Sequence, residues 1–325
     1  VRFSVEIVPY FGMDKATLLA REAERLGFQQ VWVSDHYHNR HVHSALTQLA
    51  LATKKVRLGP GVTNPHLVHP AVTASAIATL NEVSKGRALL GISSGDPFLL
   101  EIVGVKQRDP IICVRESIFI IQKLLRGQQV DFSGDCFSCH GAGLRFKPAD
   151  KIPIYVGGRR RKMMQLAGET ADGVLINASH PTDVMDAMKS VKQGLKSSGR
   201  SPRDFDFASY TASSIDKDLK KAREAARGVV AFIAASAPEE SLAHRDIPAE
   251  DIEVVRGFLR KGEIAKAREA VTREMIDEFA VCGEVDELVS RVQKLKKLGA
   301  TRIVIGSPIG PDSFESLKLI AKNLI

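Results

Sequence analysis

The sequence predicts an α/β protein, a TIM (β/α)8 barrel, and three observations carry that prediction. Strand-like and helix-like segments alternate along nearly all of the 325 residues, the pattern of a parallel sheet wrapped by helices. The apolar, mostly β-rich runs number eight, the count that closes a barrel. Most of them carry Gly, Ser, Asp or Asn within their last three residues, the types that hand a strand over to a loop.

The first run, RFSVEIVP, alternates apolar and polar residues as a half-buried strand does, and DKATLLAREAERLG follows with helical spacing and a closing glycine. QQVWVSDH leads to the helical HSALTQLALATKK, VRLGPGVT to HPAVTASAIATLNEVSKG, and RALLGISSGD to DPIICVRESIFIIQKLLRG. IPIYVGGR precedes RRKMMQLAGETAD, GVLINASH precedes PTDVMDAMKSVKQGLKSSG, and DFDFASYT precedes DKDLKKAREAARGVVAFIAA. TRIVIGSP and SFESLKLIAKNLI complete the eighth unit. A barrel of this kind takes about 250 residues, so one domain over 1–325 leaves room for two insertions. They are a hairpin near 128–147 and a largely helical stretch near 236–283, before the last strand. In the second, Ile252, Val255, Leu259, Ile264, Ala267 and Met275 are spaced for helices that pack on the barrel or on another subunit, and a homo-oligomer, dimer or tetramer, is expected.

Composition narrows the function classes. Hydrophobic residues make 44% of the chain and charged residues 26%, which suits a globular protein. No apolar run reaches membrane-spanning length, and the opening VRFSVEIVPYFG alternates instead of forming a signal peptide's apolar block; a cytoplasmic protein is expected. The net charge of +8 suggests an anionic partner. Nucleic acid is not expected, because no recognition motif accompanies the charge and the basic residues lie largely in solvated helix faces such as KKAREAARG.

CFSCH, Cys136 to His140, matches the haem-attachment pattern, but that route needs export, and the surrounding stretch reads as an exposed hairpin with turns at Gly134 and Gly141. Cys113 and Cys282 read as small apolar core residues. His36, His38, His41 and His43 follow no metal-ligand spacing, so no metal is expected and the segment reads as a loop at a pocket mouth.

In such a barrel, chemistry sits at the C-terminal ends of the strands. There the sequence places Glu6, Asp35 and His36, the break Gly61-Val62-Thr63-Asn64, then Ser93, Ser94 and Asp96. Beyond them come Gly157, Gly158 and Arg159, Asn177 and Ser179, Tyr210, Thr211 and Ser213, and Ser307. Asp35 or Asp96 alone could simply cap a helix. Glu6 sits within an apolar alternation, where burial demands a partner or a task; the structural alternative is an ion pair with an inward-facing cation. In GGRRRK, Gly157 to Lys162, two glycines let backbone N–H groups approach an anion at a helix start, as for phosphate. The glycines of GPGVTNP imply a bulge that needs unusual torsions or close approach to a planar ligand.

These segments, taken together, resemble the methylenetetrahydromethanopterin reductases of the bacterial luciferase-like superfamily. VEIVP, SDHYHN, RLGPGVTNP, HPAVTASAIATL, GRALLGI with GD, IPIYVGG, AGETADGVLINAS, YTASSID, VVAFIAA and GSPIGPD match that family's pattern in order. The resemblance implies coenzyme F420, a deazaflavin, as hydride donor and a methylene tetrahydropterin, or a related folate, as the acceptor reduced to its methyl form. It implies catalytic roles for Glu6, as proton donor, and Asp96, holding the pterin or stabilising its cation. It implies a cis peptide at Gly61-Val62 behind the ring; with the strand-end reading, the residues expected to bind the coenzyme are Asp35, His36, Gly61, Val62, Thr63, Asn64, Gly157, Gly158, Arg159 and Asn177. The run Arg159 to Lys162 is more basic than the family pattern, and the CFSCH hairpin is unusual. Other readings on the same scaffold are a different F420-dependent dehydrogenase, an FMN-dependent monooxygenase, or a flavin-binding barrel without turnover.

Overall fold

Residues 1–148, 150–237, 242 and 247–325 are described by the computed structural model. Eight parallel strands form the wall: β1 (Arg2–Ile7), β2 (Gln30–Val33), β3 (Arg57–Pro60), β4 (Leu90–Ile92), β7 (Ile154–Gly158), β8 (Gly173–Asn177), β9 (Asp206–Ile215) and β11 (Arg302–Ile309). They pair in the order β3-β2-β1-β11-β9-β8-β7-β4. Two isolated parallel bridges, Leu58 to Ala88 and Thr63 to Ile92, join the end strands and close the barrel. Every strand expected from the sequence is in the wall. A short strand that the sequence reading did not anticipate, β10 (Val281–Gly283), pairs with the outer part of β9.

The helices follow the expected alternation: α1 (Met13–Arg25), α2 (Val42–Ala52), α3 (Pro70–Val83), α4 (Pro97–Ile102), α5 (Pro110–Leu125), α6 (Arg161–Thr170), α7 (Pro181–Ser197) and α8 (Leu219–Ala235), with the short α4 as an unexpected addition. After them come α9 (Ala249–Arg260), α10 (Ile264–Glu269), α11 (Arg273–Phe279), α12 (Val285–Leu298) and α13 (Ser313–Leu324). Several begin where a side chain claims the first free N–H groups; Asp109, Asp218 and Asp312 each accept from two backbone N–H groups, the usual N-cap arrangement.

Trp32, Leu89, Tyr155, Leu175, Ala208 and Val304, drawn from around the wall, form a small buried cluster with Val62 and Tyr210 packed against it. Below it runs a buried polar network. Tyr155 donates to Asp206 at 2.9 Å, Arg302 donates to the same carboxylate at 2.8 Å, and Trp32 donates to Gln30 at 3.1 Å. Burial and the neighbouring Asp206 charge push the Tyr155 phenol up to about 12, so it stays a donor.

The second insertion packs on a core of its own. Ile252, Val255, Leu259, Ala267 and Met275 are buried with Val230 and Ala234 of α8. Ile264 is the exception, exposed at the start of α10. Residues 238–241 and 243–246 of the expected insertion lie outside the described residues.

The first insertion is a hairpin of β5 (Val130–Ser133) and β6 (Ser138–Ala142). It corrects two expectations. Cys136, Phe137 and Cys139 are buried against the main core, and Cys136 is disulfide-bonded to Cys113 of α5, so Cys113 is a cross-link and not simply an apolar filler. Glu116, one helical turn further along α5, accepts the N–H groups of Asp135, Cys136 and Phe137. The turn is at Gly134, whose N–H donates to Phe137. Gly141 instead lies within β6, where its φ of 65° suits a residue without a Cβ.

Candidate active site

Glu6 stands at the C-terminal end of β1, among the ends of its neighbours. Its Oε2 accepts the Ser307 N–H at 2.7 Å and the Ser307 hydroxyl at 2.8 Å. Tyr210, on β9, also hydrogen-bonds Glu6, and its hydroxyl lies 3.4 Å from the Gly61 carbonyl. Burial pushes the Glu6 carboxyl up from its ordinary range, against the opposing pull of those hydrogen bonds. The same burial, with the Glu6 charge beside it, pushes the Tyr210 phenol well up. The alternative of an ion pair fails on position, since the inward-facing Arg302 gives its guanidinium to Asp206. Among the described residues no cation lies within ion-pair distance of Glu6.

Ser307 reaches Glu6 because β11 is irregular there. The ladder to β9 runs Gly306 to Ala212 and then Pro308 to Ser213, skipping Ser307, so the Ser307 N–H is free of the sheet and turns to the carboxylate. The residues of GSPIGPD build this local shape. A Cβ on Gly306 would meet the Thr211 carbonyl at 2.8 Å, and one on Gly310 would meet Ser316 Oγ at 2.0 Å.

The break in β3 combines close packing of its glycines with an unusual peptide torsion. Neither Gly59 nor Gly61 has a positive φ. A Cβ on Gly59 would come within 2.1 Å of the Leu89 carbonyl, and one on Gly61 within 2.8 Å of Trp32 Cβ. The peptide Gly61-Val62 is cis, as the resemblance implied. The chain then rejoins the wall, with the Thr63 N–H donating to Gly91 and the Ser93 N–H to Thr63. Val62 projects over the barrel interior, and a Cβ on Gly157 would touch its Cγ1 at 2.8 Å. Asn64 is buried and folds the following loop by accepting from the N–H groups of His66 and Leu67, both at 3.1 Å.

Asp96 caps α4, its Oδ1 accepting the Phe98 N–H at 2.9 Å. The capping possibility thus holds for Asp96; for Asp35 it does not, since α2 begins after His41. The charges of Asp35 and Asp96 both act on His36, whose imidazole is nevertheless held below its usual range by burial first and by His38 second. Asp35, His36 and Asp96 therefore share one neighbourhood at the mouth, His36 stacking on His38 with ring centroids 5.4 Å apart.

On the other side, Arg159 donates to the Ser236 carbonyl at 2.7 Å and to its hydroxyl at 2.8 Å. With Asn177 it lines a narrow crevice that also includes Asp183 and Glu278. Arg160, Arg161 and Lys162 are exposed, and no side chain caps the start of α6. Gly157 and Gly158 close β7 immediately before this run. Tyr210 and Ser307 were visible in the sequence only as polar strand ends; their contact with Glu6 depends on strands far apart in the chain and had no local signal.

A planar, polar-edged group fits this mouth. Val62 and the Gly61 peptide offer a half-exposed face, and the Ser34 hydroxyl, just after β2, is buried with no hydrogen-bond partner among the described residues, a cost unless something pairs it.

A family model described as luciferase-like monooxygenase matches residues 5–302. A 5,10-methylenetetrahydromethanopterin reductase of Archaeoglobus fulgidus is 45% identical, over all of this chain and 99% of its own. One from Methanolobus tindarius is 43% identical, over 99% of each. The solved structure of a coenzyme F420 dependent tetrahydromethanopterin reductase from Methanopyrus kandleri superimposes with a TM-score of 0.91 at 36% identity, covering 99% of this chain and 97% of that one.

Proposed function

The chain belongs to the luciferase-like monooxygenase family, and from that premise we propose that it is an F420-dependent 5,10-methylenetetrahydromethanopterin reductase. The observation that carries this reading is end-to-end identity of 45% with a relative of that name. Coenzyme F420, bound in its reduced form, supplies the hydride. The residues that would hold it are Gly61, Val62, Thr63 and Asn64 of the β3 break, Asp35 and His36 after β2, and Gly157, Gly158, Arg159 and Asn177 at the ends of β7 and β8.

The protein's own contribution is acid catalysis and placement. Glu6, raised by burial, is suited to hold a proton to higher pH than a solvated carboxyl does and to deliver it to a ring nitrogen of the pterin, opening the imidazolidine to an iminium. Asp96 stands near enough to His36 to influence its charge and is suited to hold the pterin or stabilise that cation. Glu6 and Asp96 are the proposed catalytic pair.

Among the described residues no helix is long and apolar enough to cross a membrane, which fits work in the cytoplasm. The chain acts as a homo-oligomer in this reading: Leu18, Leu51 and Val72 are 55%, 74% and 59% exposed on three consecutive helices, and a subunit contact would cover them.

Mixing the protein with reduced coenzyme F420 and the methylene form of tetrahydromethanopterin tests the proposal. Oxidation of the deazaflavin with appearance of the methyl product is expected. Turnover only with the folate analogue would change the carrier; a tightly retained yellow flavin and no deazaflavin oxidation would favour a monooxygenase.

A further inference from the structure

Both donors from Ser307 fall on one oxygen of Glu6. The N–H lies 2.7 Å and the hydroxyl 2.8 Å from Oε2. A backbone N–H only donates, so a proton placed on Oε2 would crowd against a group that cannot accept it. An oxygen taking two donors is suited to carry the negative charge. Moreover, the N–H is available only because the β11 ladder skips Ser307, which makes the contact a property of the strand irregularity and not of a mobile side chain alone.

We propose that Ser307 is a positioning residue that fixes Oε2 as the charge-bearing oxygen of Glu6 and leaves Oε1 to carry the proton delivered to substrate. The inference rests on the reading of Glu6 as the acid. In the step it describes, the Oε1–H bond breaks as an N–H bond forms on the pterin, and the C–N bond opens to leave the methylene carbon as an iminium. Glu6 remains as a carboxylate whose charge two donors already face, and solvent protons restore it. Among the described residues Tyr210, from β9, is the titratable group acting on Glu6, and no charged side chain adds to it.

The test uses the ligand-free protein first. The infrared band of the protonated Glu6 carboxyl, identified by its loss in Glu6→Gln, is titrated in wild type, Ser307→Ala and Ser307→Thr. Loss of one hydroxyl donor to the carboxylate raises the midpoint by about one pH unit, and Ser307→Thr restores it. The alkaline limb of single-turnover hydride transfer is expected to move up by the same amount, since the proton is kept to higher pH. An unmoved midpoint in Ser307→Ala, with Glu6→Gln inactive, overturns the role of Ser307 while leaving Glu6 as the acid. Hydride transfer at the wild-type rate in Glu6→Gln overturns the reading beneath it, wherever the midpoint lies.

Discussion

Arg302 pairs in register with Arg2 on the neighbouring strand, four positions short of Glu6, and its guanidinium closes on Asp206 at 2.8 Å. The buried cation of the barrel and the carboxylate at its mouth are thereby kept apart. One belongs to the lower wall; the other has Ser307 and Tyr210 as its partners.

For Glu6 the expected consequence is a separation of binding from chemistry. Glu6→Gln keeps the shape and removes the proton, so coenzyme binding holds while single-turnover hydride transfer falls by about 100-fold or more. A second effect concerns stability. A carboxyl whose folded pKa is raised costs the folded state progressively as pH rises through that value. Glu6→Gln removes the penalty, so the variant should gain in Tm over wild type at pH 8 relative to pH 4, read by thermal denaturation at the two pH values.

The Arg302 and Asp206 pair should behave in the opposite way. Burial raises Asp206, but Arg302, Thr301 and Arg2 outweigh it and hold the carboxyl below its usual range. Its contribution is therefore fully present above about pH 4 and is lost as pH falls through the folded value. Arg302→Met, which leaves a buried carboxylate without its main partner, should cost about 3–5 kcal/mol at pH 7, and the gap to wild type should narrow in acid. Urea unfolding at pH 7 and pH 3 measures both.

The barrel and its eight strands were legible because each strand has a local apolar pattern and each connection a local stop signal. Glu6 was legible for a related reason: a lone acid in the RFSVEIVP alternation is anomalous on its own strand. Its partners were not, because Ser307 is 301 positions away in sequence and became a donor through a ladder irregularity that no single-strand pattern records. The part that packing plays in GPGVTNP was hidden for a similar reason. Gly59 is required by Leu89, just before the strand across the seam, and a neighbour of that sort appears only once the barrel closes.

The basic run should separate into two functions. Arg160→Ala and Arg161→Ala remove exposed charge, so they should weaken coenzyme binding mainly at low salt, where screening is least. Arg159→Ala should also lower Tm, because Arg159 ties β7 to Ser236 at the end of α8. Fluorescence titration with the coenzyme across salt concentrations, with a melt of each variant, distinguishes them.

The hairpin carries two clamps of different chemistry. Replacing Cys113 and Cys136 together by Ala removes a cross-link spanning 23 residues, for which about 3 kcal/mol is expected. Glu116 still holds three backbone N–H groups of the turn, so the hairpin should stay docked. Hydrogen exchange at Cys136 and Phe137 should therefore remain slow after addition of a reductant, while Glu116→Gln, which weakens the charge-assisted bonds, should accelerate it.

The satellite core under α9 to α11 reaches further than its own helices. Phe98 packs against it, and the Phe98 N–H is the one that Asp96 caps. The segment bearing Asp96 is thus wedged between a rigid wall and an appended block of helices. A change of packing in that block would shift the segment that carries Asp96 without altering a single residue of the barrel wall, so the appendage is a remote handle on the position of that carboxylate.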